Sequence, residues 1–272
     1  MIHERPIIFS APMVRAILSG KKTRTTRLVD LKRLKVRLPF PVANEAPAYA
    51  PDLAVTAEEG TYHASINPQG AVSIVLPDGK PFGLKPGEFT FVCPYAEGNT
   101  HLGNVGGGRQ EWMIEPPTAQ LWVREAWGSG DGFYQEHECD PPKVVVYRAD
   151  GAAMRMDCSP PQPITEYDTQ QWNLDAVKWK SPLFLPRISS RIDLQVTAEV
   201  RLRRLSHTTF WEIREEGIDC PEHDFAGGFC SSECPDLRAA FYKAWDEMHK
   251  EPGTTSKEDP WTWTFSFRRV RP

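Results

Sequence analysis

The stretch Ser19–Val29, SGKKTRTTRLV, places four basic side chains and three threonines directly behind a short apolar segment and a glycine. Two chemistries use such a set. Clustered Lys and Arg near a glycine corner hold phosphate, helped by backbone N–H groups. A lysine beside a threonine works as base and nucleophile when burial lowers the lysine pKa and leaves a neutral amine. Between Arg15 and Arg37 nine basic residues stand against one acid, Asp30. The alternative for the same residues is a solvated charged face that binds nothing.

Two further constellations carry chemistry. In CPEHDFAGGFCSSEC, Cys220 and His223 are spaced C-x2-H and Cys230 and Cys234 are spaced C-x3-C, with Gly227 and Gly228 between them. Thiolates and an imidazole at short loop spacing suit a closed, tetrahedral structural Zn²⁺ site; the alternative is a loop of unmetallated thiols. In LWVREAW, Trp122, Arg124, Glu125 and Trp127 suggest a stacking surface for a base whose edge Arg or Glu reads. The competing assignment makes Trp122 a core residue and Arg124–Glu125 a structural ion pair. Of the other cysteines, Cys93 is expected in the core, and nothing pairs Cys139 or Cys158. GNVGGGRQ lacks the GxxxxGK[ST] pattern of a phosphate loop.

The elements that position these residues follow from periodicity. PIIFS reads as a strand, and Ser10 and Pro12 open a helix in which Val14, Ile17 and Leu18 form an apolar stripe ended by Gly20. Thr23, Thr25 and Arg27 then alternate with Arg24, Thr26 and Leu28, the signature of a strand. Residues 38–88 suggest little more than one hairpin around YHASINPQGAVSIVL, and residues 96–118 a flexible loop. EFTFVCP, AQLWVREAW and KVVVYRAD are strand candidates, and residues 151–184 are irregular. SSRIDLQVTAEVRLRRLSH reads as one long strand or a bulged pair, TTFWEIREEG and PDLRAAFYKAWDEMHK as helices, and WTWTFSFRRV as a closing strand with aromatics on one face. The order predicts an α+β fold, a small mixed or closed sheet with helices outside.

Composition narrows the partners. A chain of 272 residues, 40% hydrophobic and 25% charged, buries a core of ordinary size. A net charge of −4 confines any nucleic-acid contact to a local patch. No apolar run approaches 18 residues and no signal-peptide stretch opens the chain, so no membrane partner and a cytoplasmic location are expected.

APMVRAILSGKKTRTTR resembles the opening of ASCH-domain proteins, a PUA-like β-barrel family, and is especially similar to a bacteriophage and prophage branch. CPY at 93–95, LWVREAW at 121–127, REEGI at 214–218, FYKAWDEM at 241–248 and PWTWTFSFRRV at 260–270 are similar to that branch in the same order. The resemblance implies one ASCH domain over 1–272, with a core at about 5–29, 88–95, 120–128 and 186–271. Insertions would fill about 30–87, 96–119 and 129–185. Small bacterial members are N4-acetylcytidine amidohydrolases with a Lys–Thr–Glu set; aligned on Gly20–Arg27 and on the helix after the long β segment, that set falls on Lys22, Thr25 and Glu216. Other members are described as ribonucleases or bind RNA. The resemblance thus implies a cleft for RNA, DNA or a modified nucleoside, with Arg24 and Arg27 as phosphate or base contacts. The alternatives are an amidohydrolase or nuclease, and a non-catalytic phage accessory protein.

Overall fold

Alternation over Trp261–Arg269 builds the strand on which everything else assembles. Trp261, Trp263, Phe265 and Phe267 enter the main core, while Thr262 and Thr264, also buried, line the opposite face. A strand buried on both faces must sit in the middle of its sheet. The computed structural model describes residues 3–38, 42–43, 56–57, 60–67, 69–76, 79–85, 88–95, 99–104, 110–115, 119–129, 144–156, 161–164, 174–221 and 234–270. Its main-sheet strands are, along the chain, β1 (His3–Ile8), β2 (Arg24–Leu28), β3 (Asn99–Asn104), β4 (Gln110–Glu115), β5 (Ala119–Arg124), β6 (Asp193–Val196), β7 (Val200–Arg204) and β8 (Trp261–Arg269). The α-helices among the described residues are α1 (Ala11–Leu18), α2 (Phe210–Glu215) and α3 (Pro235–Met248).

The fold is mixed α+β and dominated by sheet. Strand order is β1-β5-β6-β8-β7-β4-β3, with β2 added to β8; β1 and β5 run parallel and the other pairs antiparallel. Among the described residues this path has two ends and no closing ladder. The segment after Phe91 bridges the gap, since Arg5 of β1 donates to the Cys93 carbonyl at 2.9 Å and Phe91 N–H donates to Thr100 Oγ1 of β3 at 2.7 Å. The stretch 189–207, expected as one long strand or a bulged pair, is two strands, β6 and β7, laid end to end along one edge of β8. The other edge carries β2, with Thr25 opposite Phe265 and Thr26 opposite Thr264.

Two segments hold more structure than their composition suggested. The expected hairpin is present, Gly60–Ile66 against Val72–Val75, but it belongs to a five-stranded sheet with Pro81–Leu84, Lys35–Leu38 and Thr90–Phe91. Its inner residues Val36, Leu38, Ile74 and Phe82 join the same core as β8. Phe91 is the joint: its ring lies 5.7 Å from Trp112 and 5.8 Å from Trp263, both edge-on. The stretch expected to be a loop contains the hairpin β3–β4, because Thr100, Trp112 and Ile114 have a core to enter.

On the outer face of β2 and β8 lies a helical layer, in which Leu205, Phe210, Ile213, Leu237, Phe241 and Trp245 pack together against Leu28. Helix α2 starts with a capping box: Thr209 Oγ1 accepts from Glu212 N–H, and the Glu212 carboxylate accepts from Thr209 N–H. That carboxylate also holds α2 to the sheet, with Oε2 at 2.8 Å from Arg203 Nη2 and Oε1 at 3.2 Å from Arg24 Nη1. Burial alone would raise the Glu212 pKa; the charges of Arg203 and Arg24 outweigh it and hold the group below the usual carboxylate range. Arg203 is itself buried and reaches Glu111, 3.6 Å away. Removing one member of a buried charge set leaves the others uncompensated. Arg203→Ala is therefore expected to lower stability by about 3–5 kcal/mol in urea denaturation; a loss well under 1 kcal/mol would show that these charges do not hold α2.

Candidate functional site

Three main-chain bonds build the corner that carries Lys22. The helix α1 ends with Gly20 at φ +75°, a conformation glycine adopts without strain. Lys22 N–H then donates to the Ala16 carbonyl at 3.0 Å, Thr23 N–H to the Glu215 carbonyl at 2.8 Å, and Phe267 N–H to the Thr23 carbonyl at 2.8 Å. The corner is thereby tied to α1, α2 and β8 at once. A second glycine closes the approach. Gly217, at φ +77°, ends α2 where an added Cβ would stand 3.1 Å from the Cβ atoms of both Ala16 and Lys22. Glycine here lets Glu216 reach a lysine 194 residues away.

Lys22 is 2% exposed and Glu216 8%. The Lys22 ammonium donates to Glu216 Oε2 in a very short contact and to the Glu216 carbonyl at 3.0 Å. Burial lowers the Lys22 pKa, and the nearby Arg27 charge adds to that, against the opposing pull of Glu216. The second carboxylate oxygen, Glu216 Oε1, is buried without a hydrogen-bond partner, as is Thr26 Oγ1. Lys22, Thr26 and Glu216 line one cavity of about 240 Å³, whose remaining wall includes Met13, Phe241, Trp245 and Met248.

The two central threonines of β2 point to opposite faces of the strand, as strand geometry requires. Thr26 faces the helical layer and the cavity. Thr25, also buried, faces the main core beside Phe265 and shares its side of the strand with Arg27. The Arg27 guanidinium lies 4.5 Å from the Phe9 ring centroid, and the same ring has Lys22 Nζ at 5.9 Å. Arg27 donates to the Ile8 carbonyl at 2.7 Å, and its Nε is buried without a partner.

The other sequence candidates are engaged elsewhere. Arg24 is bound to Glu212 and donates to Glu215 at 2.8 Å, so it anchors α2. Strand β5 ends at Arg124, and the ring of Trp122, 7% exposed, carries the Arg124 guanidinium at 4.7 Å and that of Arg187 at 5.8 Å. Glu125 is buried and gripped by Arg191 through two hydrogen bonds of 2.8 and 2.9 Å. Glu125 is thus paired with Arg191, whereas the alternative held from sequence paired it with Arg124. Of the zinc candidates, Cys220 and Cys234 bring their sulfurs to 3.6 Å; His223 and Cys230 lie outside the described residues. Among the described residues no group of three or more His, Cys, Asp or Glu is placed to hold a metal.

Sequence reasoning did not single out Thr26, Gly217 or Trp211. Thr26 had a signal, since it shares a strand face with Leu28. Trp211 had none, because an aromatic on a short helix reads as core. It is 62% exposed, with the Arg214 guanidinium 5.6 Å from its ring. Trp211, Arg214, Lys21 and Thr23 border an open depression of about 640 Å³, and Gly217 and Ile218 form the wall between it and the cavity.

Gly217→Ala forces a side chain into a left-handed backbone between two close neighbours. It is expected to cost about 1–3 kcal/mol in thermal or urea unfolding, with Glu216 drawn away from Lys22. A variant as stable as the wild type would show that the close approach of α2 is not required.

No family model, curated protein or solved structure matches the chain.

Proposed function

We propose that the chain is an ASCH-type protein with a PUA-like core that admits a nucleobase to the Lys22–Glu216 cavity and removes an acyl group from its exocyclic amine. The observation that carries this is the buried lysine of lowered pKa, paired with a carboxylate in a cavity that also presents a free hydroxyl and a free carboxylate oxygen. A buried lysine whose pKa is shifted by desolvation, with a charge partner and beside a cavity, is a functional-site candidate on physical grounds. The volume, just below the range for drug-sized ligands, suits a single base, and Phe241 and Trp245 offer apolar walls to its ring.

The chemistry follows from the groups present. Neutral Lys22 takes the proton of a threonine hydroxyl as that oxygen attacks the acyl carbonyl carbon. Glu216 Oε2 stabilises the ammonium so formed, and Oε1 accepts from the exocyclic N–H and orients it. The carbon–nitrogen bond breaks, and the proton held by Lys22 passes to the departing amine. Water, deprotonated by the same lysine, then hydrolyses the threonyl ester to release the carboxylic acid. Thr25 is the hydroxyl implied by the family resemblance; Thr26 is the one in the cavity wall.

Release of acetate from N4-acetylcytidine, free or within an oligonucleotide, tests this. Lys22→Ala and Glu216→Gln are expected to lower the rate by at least about 100-fold in folded protein. Of Thr25→Ala and Thr26→Ala, the one that abolishes ester formation names the nucleophile. Because burial lowers the Lys22 pKa, the rate is expected to rise with pH and level off below the 10.5 of an ordinary lysine. In Lys22→Arg, which stays charged, that rise should vanish. A wild-type protein inert towards N4-acylated cytosine in every context would overturn the enzymatic reading.

The Trp211 depression supports nucleic-acid binding, with or without turnover. An exposed indole under a guanidinium is a stacking platform, and stacking one base is worth about 1–3 kcal/mol. Trp211→Ala is therefore expected to weaken binding of a single-stranded oligonucleotide roughly 5- to 150-fold, and binding should fall steeply with salt. Unchanged affinity would remove Trp211 from the interface.

A further inference from the structure

Two cysteines of the helical layer take no part in that chemistry, yet they meet where two walls of the cavity join. Cys220 follows the turn that ends α2, and Cys234 is the N-cap of α3. Both are buried, and 14 residues apart in sequence their sulfurs stand 3.6 Å apart, two thiols in contact. A buried thiol is usually an inert apolar filler. Cys93 is of that kind: it lies in the main core, with its sulfur accepting from Tyr95 N–H at 3.4 Å. Two observations set the pair apart from it. Cys220 borders the open depression of about 640 Å³, so a small solute comes up to it from solvent. Cys234 makes no capping bond to α3, so turning its side chain costs the helix no hydrogen bond; its sulfur has Asp236 Oδ2 at 4.0 Å. A disulfide holds its sulfurs about 2.05 Å apart, roughly 1.5 Å closer than these. Rotation about a Cα–Cβ bond between staggered wells moves a sulfur by more than that.

We propose that Cys220 and Cys234 are a reversible oxidation site, at which a peroxide converts two thiols in contact into a disulfide between the end of α2 and the start of α3. Cys220, the member on the depression, reacts first. Its thiolate attacks a peroxide oxygen, the O–O bond breaks, hydroxide leaves and takes up the thiol proton as water, and the sulfur becomes a sulfenic acid. The Cys234 sulfur then attacks that of Cys220; the S–S bond forms, the S–O bond breaks, and the hydroxide leaves as water with the Cys234 proton. Overall two thiols and one hydrogen peroxide give one disulfide and two waters, the two electrons lost by sulfur reducing the peroxide. The bridge ties the chain that carries Gly217 and Ile218 to the helix that carries Phe241, Trp245 and Met248, all of them parts of the cavity wall. A cross-link of this kind acts by restricting how far the joined elements separate. The bridge stands on its own geometry; only its effect on turnover rests on the proposed reaction.

The test treats fully reduced, folded protein with hydrogen peroxide and follows intact mass and peptide maps. The expected product is two hydrogens lighter, joined between Cys220 and Cys234, and returned to the starting mass by dithiothreitol. Amide hydrogen exchange along α3 should slow by about 10-fold or more in the bridged form and recover on reduction. In Cys234→Ser, dimedone should trap a sulfenic acid on Cys220, whereas Cys220→Ser should leave Cys234 unmodified. Cys93→Ser, at a cysteine of the main core, should bridge as the wild type does. Should the serine variants fail to fold, the mass and map of the oxidised wild type still decide. Thiols that both persist, oxygen added at Cys220 with no bridge following, a bridge that instead joins either sulfur to Cys230, or a metal ion already held by both sulfurs would each overturn the proposal. None of these readouts uses the deacylation, so a protein inert towards acylated bases leaves the test intact.

Discussion

Everything in this molecule hangs on a strand with no free side. Strand β8 is hydrogen-bonded along both edges, to β6 and β7 on one and β2 on the other, and buried on both faces. The face bearing Trp263, Phe265 and Phe267 fastens the second sheet through Phe91 and Trp112. The face bearing Thr262 and Thr264 accepts the helical layer. Small hydroxyl side chains let helices approach closely there, and they bring polar groups into the interior, where hydrogen bonds and charges must be placed deliberately. One such group is satisfied locally, as Thr262 Oγ1 donates to the Arg203 carbonyl at 3.1 Å. Others, Thr26 and Thr264, are left open.

That division explains the distribution of buried charge. The aromatic side of β8 is largely apolar, though Thr25 of β2 is buried there too, whereas Arg203, Glu111, Glu212, Lys22 and Glu216 are all buried on or near the helical side. Two of these groups meet in different ways. Arg203 and Glu212 are part of a set of several opposite charges, which suits a fixed structural joint. Lys22 has a single carboxylate partner and a lowered pKa, and it borders a cavity. The same chemistry, a cation against a glutamate, is enclosed in a set of charges in one place and borders a cavity in the other. Solvent-sized space beside the group makes the difference.

The elements around the site were legible because each carries one clear period: α1, β2, α2, α3 and β8 lie close to where alternation and apolar stripes put them. Of the second sheet only the hairpin and the strand in EFTFVCP were legible, because the other two strands are four residues each. Sequence left one long strand and a bulged pair both open for β6 and β7, for a simpler reason. Val196 and Val200 are four residues apart, an even number, so the interruption leaves the alternation in phase. Within the site, the faces of Thr25 and Thr26 could be told apart from sequence, but which face looks into a cavity depends on where α3 packs. The pairing of Lys22 with Glu216 spans 194 residues and entered only through family resemblance. Glu125 was decided by Arg191, 66 residues further on, which no local pattern connects to it.

The three main-chain bonds that tie the lysine corner to α1, α2 and β8 have a kinetic consequence. Three of the four elements around Lys22 move together or not at all, since separating any of them breaks backbone hydrogen bonds in a buried place. Helix α3 is joined to the others through side chains alone among the described residues, by Leu237, Phe241 and Trp245. Packing of that kind shifts more readily than a ladder of amides. Of the elements that line the cavity, α3 is thus the one that can part from its neighbours without breaking a backbone hydrogen bond among the described residues.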